Sequence, residues 1–237
     1  MCLVACRDYH SRGRFWPLTA VNFRKIRTQG KPAHTVIPVA SHPERNVIRV
    51  QLKNNEVLKA LTDADRVALE ALLVIVDGNK GEFLLHQGVR EMEQYFILDG
   101  VLKRVVSNAE GKEMILRFAA EGDIETSYAA FRMGTPTPYG IVCVTKARVA
   151  RLPMPQWVDF LEHHPDTKQV FENSVMRLMT EVMAHTITLH LLDAPGRVHR
   201  FLRKRPELAD RIPQKQLASH LNLSAETLSR LRHSGKI

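Results

Sequence analysis

Between Gly78 and Leu152 the apolar residues come in short runs: Phe83 to His86, Tyr95 to Leu98, Val101 to Ser107, Met114 to Phe118, Ile141 to Thr145 and Val149 to Leu152. Turn signals separate them at Asp99-Gly100, Asn108-Ala109-Glu110-Gly111 and Glu121-Gly122-Asp123. Six or more short strands at near-regular spacing restrict this stretch to a small antiparallel sandwich or jelly roll. At Pro153 the texture changes: a short helix is predicted over Gln156 to Glu162 and a long one from about Asp166 to Leu192. The chain therefore reads as α+β.

Upstream, order is predicted to begin near Val47, with a first helix at Thr62, whose hydroxyl caps the turn while Asp65 reaches back. Val67, Leu69, Ala71, Leu72 and Leu73 form its expected apolar side. Residues 1–46 mix Arg with Pro, Gly and His without periodicity and read as a basic, disordered extension, a solvated tail or a misassigned start, a transit peptide being the alternative. A tail of this composition can attract anionic polymers only non-specifically.

Along the long helix Phe171, Val175, Leu178, Val182, His185, Leu189 and Leu192 alternate four and three residues apart, one stripe of period 3.5. That stripe predicts a seam with a second copy, with Met176, Met179 and Met183 packing back onto the sheet. His185 within it reads as a hydrogen-bonded core residue. Asp193-Ala194-Pro195-Gly196 is a hinge-like break, and three helical stretches follow, about Arg197 to Lys204, Gln214 to Leu221 and Ser224 to Arg232. The expected divisions are thus 1–46, 47–162, 163–195 and 196–237.

The last unit carries the most chemistry. Asn222 tolerates the left-handed conformation that a three-residue turn requires, Ser224 is a good helix cap, and small Ala218 lets two helices approach. Leu217, Leu221, Leu223, Leu228 and Leu231 supply the contacts between them, which makes a helix-turn-helix. Its second helix leaves Ala225, Glu226, Ser229, Arg230 and Arg232 outward. Glu226 can accept from a cytosine amino group, Arg230 can bond a guanine bidentately, and Ser229 can touch a phosphate or base edge. Arg200, Arg203, Lys204, Lys215, Ser224, Thr227 and Arg232, with His199 and Arg205, are candidate phosphate contacts.

Charge supports that placement. The net charge of +9 divides into +7 over residues 1–49 (nine Lys/Arg, two Asp/Glu), −5 over 50–195 (fifteen, twenty) and +7 over 196–237 (ten, three). Double-stranded DNA is the expected partner of the last part. Cys2, Cys6 and Cys143 are too few for a disulfide framework and lack zinc-finger spacing, so no metal is expected and a reducing cytoplasm is. No apolar run reaches a membrane span, and neither a Gly-rich phosphate loop nor a nucleophile elbow appears, so an enzyme is not expected.

Taken together, Asp99-Gly100 through Asp123, with Glu110-Gly111-Lys112-Glu113-Met114-Ile115-Leu116 and Glu121-Gly122-Asp123-Ile124, resembles the cyclic-nucleotide-binding jelly roll. With the seam helix and Glu226-Thr227-Leu228-Ser229-Arg230 it resembles the Crp/Fnr superfamily of bacterial transcription regulators, from about Val57 onward. The resemblance implies an effector jelly roll, a dimerising helix and a helix-turn-helix, acting as a homodimer on a pseudo-palindromic site, with RNA polymerase a partner of any activator. Glu226, Ser229 and Arg230 would read bases as in Fnr-type relatives.

Three departures follow from the same resemblance. Cyclic-nucleotide sensors hold the ribose and phosphate with a Gly-Glu pair and an Arg-Ser or Arg-Thr pair, and here those places fall on Thr126-Ser127 and Thr137-Pro138. The usual cyclic-nucleotide grip is therefore not expected, nor is an iron-sulfur cluster, since four grouped cysteines are missing. No cofactor is predicted and the effector stays open. The ending at Arg232-His233-Ser234-Gly235-Lys236-Ile237 resembles a wingless subgroup, truncation being the alternative. The rival function is a cyclic-nucleotide-responsive module acting on a partner protein.

Overall fold

The computed structural model describes residues 37–234. Two antiparallel sheets form the sandwich. The first is built from β1 (Ile37–Pro38), β2 (Val74–Gly78), β9 (Ala147–Pro153), β4 (Glu93–Asp99) and β7 (Ile124–Thr126), in that spatial order. The second runs β3 (Phe83–Leu85), β8 (Gly140–Cys143), β5 (Leu102–Ser107) and β6 (Glu113–Ala119). Between them lie Val76, Tyr95, Ile97, Leu102, Ile141 and Val149.

Because side chains alternate along a strand, each sheet also has an outer face to cover. On β4, Tyr95 and Ile97 point between the sheets, while Phe96 and Leu98 point outward into a second core. That core is closed by α1 (Arg45–Lys53), α2 (Asp63–Leu72), α4 (Met154–Glu162) and the start of α5 (Pro165–Leu191). Trp157, fully buried, sits edge-on to Phe96 and Phe171 at 5.4 and 5.3 Å. The outer face of the second sheet packs on the C-terminal unit, α6 (Ala194–Lys204), α7 (Gln214–His220) and α8 (Ala225–His233), through Val105, Ile115 and Phe118 against Phe201, Leu208 and Leu217. A five-residue helix, α3 (Tyr128–Arg132), follows β7. The result is a jelly roll with helices on one outer face and a helix-turn-helix on the other.

Several expectations need correction. Order starts earlier than Val47: Ile37 pairs with Ile75, Val39 is fully buried, and α1 begins at Arg45, so residues 37–46 belong to the fold and not to the extension. The rest of that extension, with Cys2 and Cys6, lies outside the described residues. Strands β2 and β7 were not predicted, because Val74-Ile75-Val76 abuts a helix without a turn signal and β7 has only three residues. Thr62 caps α2 as expected, accepting from the Asp65 amide at 3.2 Å, but Val67 and Leu72 face outward.

The two apolar lines of α5 exchange roles. Phe171 and Val175 are buried in the core of their own chain, Leu178 packs against it, and Val182, His185 and Leu189 are half-buried. Met176, Met179 and Met183, expected inside, are 57, 59 and 59% exposed, and Ile187 and Leu191 extend that line at 50 and 77%. The two stripes lie one residue apart, about 100° around the helix, and both keep helical spacing. Rigid Phe171 fits among Tyr128 and Trp157, which fixes the rotation and turns the methionines out.

Candidate nucleic-acid interface

The turn between α7 and α8 is closed by Asn222, the one non-glycine residue with positive φ (52°) among those described. Asn reaches that region more readily than branched residues do, because its side chain can hydrogen-bond locally. Leu223 then donates its amide to Ala218 at 2.9 Å, and Ser224 Oγ accepts from the Thr227 amide at 3.1 Å, the expected cap. Leu217, Ala218, Leu221 and Leu228 are buried, with Leu223 and Leu231 packed against them. The leucines thereby set the free face of α8. α7 closes at His220, one residue before the expected Leu221.

On that face Ala225, Glu226, Ser229 and Arg230 line a shallow open cleft with Gln214 and Lys215 of α7. Glu226 and Arg230 are exposed, four residues apart. The Glu226 carboxylate is held below its ordinary range by its own backbone amide and the Ser224 hydroxyl, with Arg230 adding to the effect. It is therefore ionised and an acceptor at neutral pH. Gln214 escaped the sequence reading; its place at the first position of α7 was the available signal.

The candidate phosphate contacts divide. Arg203, Lys215 and Arg232 are exposed, and Ser224 and Thr227 hydroxyls lie 3.1 Å apart at the cap. Arg200 and Lys204 instead face the joint with α5, Lys204 3.7 Å from Glu181. Arg205 is committed to Asp123 at 2.7 Å and Glu207 at 2.8 Å, so it ties α6 to the sandwich. Proximity in sequence had grouped cations that the helix distributes to different sides.

That joint also holds His185 and His220, their rings stacked 3.9 Å apart. His185 Nε2–H donates to the His220 carbonyl at 3.0 Å and His220 Nδ1–H donates to the Ile115 carbonyl at 2.9 Å; carbonyl acceptors fix both tautomers. Burial, then the neighbouring His185, pushes His220 down to about 3, and burial, Lys204 and Arg200 lower His185. Both are neutral at physiological pH. His185 is thus the hydrogen-bonded core residue expected.

In the jelly roll, Thr126, Ser127 and Thr137 are buried and Pro138 is exposed. Ser127 Oγ and Thr137 Oγ1 bond each other at 3.3 Å, Thr137 Oγ1 donates to the Tyr139 carbonyl at 3.1 Å, and Thr126 Oγ1 accepts from the Tyr128 amide at 3.2 Å. Beside them Glu125, fully buried, takes Arg104 Nε and Nη2 at 3.0 and 2.5 Å and Arg117 at 3.1 Å. Arg104 also lies 4.0 Å over the Tyr139 ring. Arg132 is exposed at the end of α3. Burial raises the Cys143 thiol to about 12, which leaves it unreactive.

Residues 76–164 match the family model described as "Cyclic nucleotide-binding domain". Curated relatives include the cAMP-activated global transcriptional regulator CRP of Salmonella typhimurium and of Escherichia coli, each 23% identical over 158 residues, 62% of this chain and 75% of theirs. Among solved structures, FixK2 from Bradyrhizobium japonicum superposes with a TM-score of 0.61 at 16% identity, over 69% of this chain and 86% of that one. The c-di-GMP-responsive global regulator CLP of Xanthomonas campestris gives 0.62 at 13%, over 73% and 92%. No described helix is long and apolar enough to cross a membrane. With a cyclic-nucleotide-binding domain, a long helix and a C-terminal helix-turn-helix in this order, the chain is similar to transcription regulators of the Crp/Fnr type.

Proposed function

We propose that the chain is a sequence-specific DNA-binding regulator of transcription, not an enzyme, that works as a two-fold dimer. Glu226, Ser229 and Arg230 read base edges in the major groove, and Lys215, Arg203 and Arg232 hold phosphates. The observation that carries the reading is the left-handed Asn222 turn. It fixes α8 on α7 with every leucine inward and the Glu226–Arg230 pair outward. The dimer contact in this reading is the Met176–Met179–Met183–Ile187 line of α5 rather than Phe171 and Val175. Two such units place their reading helices about one turn of DNA apart, roughly 34 Å. An activator of this kind also contacts RNA polymerase.

The effector pocket in this reading does not take a cyclic nucleotide in the family's usual way. Ser127 is hydrogen-bonded to Thr137, whose hydroxyl donates to the Tyr139 carbonyl, and the nearby guanidiniums of Arg104 and Arg117 are already engaged by Glu125 rather than offered to a phosphate. Titration calorimetry with cAMP is expected to show no saturable heat. Tight binding would instead favour a cyclic-nucleotide-responsive module. Selection of bound duplexes from random DNA tests the main reading: enrichment of a two-fold symmetric site is expected, and an unenriched pool would sink it.

A further inference from the structure

A cavity of about 80 Å³ lies where β6, α5, α6 and α7 meet, and neither DNA reading nor the jelly-roll pocket uses it. A space of that size holds several waters or one tetrahedral oxyanion. Five cations line it, Arg117, Arg197, Arg200, Lys204 and Arg205, against one carboxylate, Glu181.

Their charges are unequally answered. Arg205 has Asp123 and Glu207, and Lys204 has Glu181 at 3.7 Å. Arg197 donates only to the carbonyls of Leu192, Leu221 and Asn222, which carry no net charge. Arg200 has neither a hydrogen-bond nor an ion partner among the described residues. Arg117, its side chain 7% exposed, divides itself between Glu125 and a 3.6 Å pair with Asp123, and its Nε and Nη2 lack hydrogen bonds. His185 on the same wall is lowered chiefly by burial, with Lys204 and Arg200 adding to the effect.

Cations gathered in a half-buried space strain the packing unless a counter-ion enters, and an oxyanion accepts several guanidinium N–H bonds at once. We propose that this cavity binds a small tetrahedral oxyanion, free phosphate or the phosphate of a small metabolite, held by Arg200, Arg197 and Lys204 with Arg117 behind them. Such an ion touches the sandwich, the long helix and the DNA-binding unit together. Its binding therefore favours the docked position of the helix-turn-helix.

Titration calorimetry on the full chain with inorganic phosphate, at ionic strength held constant with chloride, tests this without DNA. Saturable binding of one phosphate per chain is expected, weakened at least tenfold by Arg200→Gln and kept by Lys215→Gln, whose side chain lines the α8 cleft instead. Should Arg200→Gln lower the melting temperature in chloride alone, Lys204→Gln on the same wall supplies the comparison. Tighter binding of glycerol phosphate than of inorganic phosphate marks a metabolite as the source; the reverse marks the free ion. Heat equal to a chloride control, binding untouched by either substitution, or binding lost in Lys215→Gln would overturn the proposal.

Discussion

Two cations at the α8 cleft are expected to behave differently when removed. Arg230 can fork onto a guanine, so Arg230→Ala should cost about 1–3 kcal/mol on the selected site and little on random duplex. Lys215 is a point charge suited to phosphate. Lys215→Ala should weaken both duplexes alike and reduce the slope of log K against log salt by about one unit. Mobility-shift titrations at several salt concentrations separate the two, and equal losses on both duplexes for Arg230→Ala would remove it from base reading. Glu226 belongs with Arg230, since its carboxylate stays ionised across the working range. These residues were legible because helical spacing and the leucine pattern fix which way each one points. Arg200, Lys204 and Arg205 were not, since a run of basic residues on α6 carries no sign of the acidic groups that meet it from α5 and β6–β7.

At the scale of the element, the tight turn and the long helix make separate demands. Asn222 pays little for its positive φ, and Gly would pay less. Asn222→Gly should therefore keep stability within a few tenths of a kcal/mol, whereas Asn222→Val should lose about 1–2 kcal/mol, read from urea midpoints. On α5, Met179→Glu and Met183→Glu place charge on the exposed apolar line and should shift sedimentation from dimer to monomer with secondary structure unchanged. A dimer that survives both would exclude this face. The helices α2 and α4 to α8, the caps at Thr62 and Ser224 and most strands could be read from the sequence because periodicity and turn residues are local signals; the short α1 and α3 could not. Which α5 stripe faces inward could not be read, because Phe171 is placed by Trp157 and Tyr128, far away in sequence.

For the molecule as a whole, the stacked histidines at the joint between the sandwich and the helix-turn-helix make stability depend on pH. His220 stays neutral in the folded state down to about pH 3 but gains a proton near pH 6.5 once unfolded. Acidification below 6.5 therefore favours the unfolded chain, by up to about 1.4 kcal/mol per pH unit for each such group, with the loss ending near pH 3. Urea midpoints should fall across that window. His220→Phe, which gives up the bond to Ile115, should be weaker than the parent at pH 7, and the gap should narrow toward pH 4.

Glu125 gives the molecule a further property. Its carboxylate begins a line of alternating charges, Arg104, Glu125, Arg117, Asp123, Arg205 and Glu207, that runs from the closed interior of the jelly roll to the surface of α6. A ligand that arrives by diffusion fills a site in proportion to its concentration. An anion fixed to the backbone is present at one per chain whatever the cell contains, so under the proposed function this interior would hold one setting. Any variation in response would then be expected at the surface end of the line, where Asp123 and Arg205 still meet solvent.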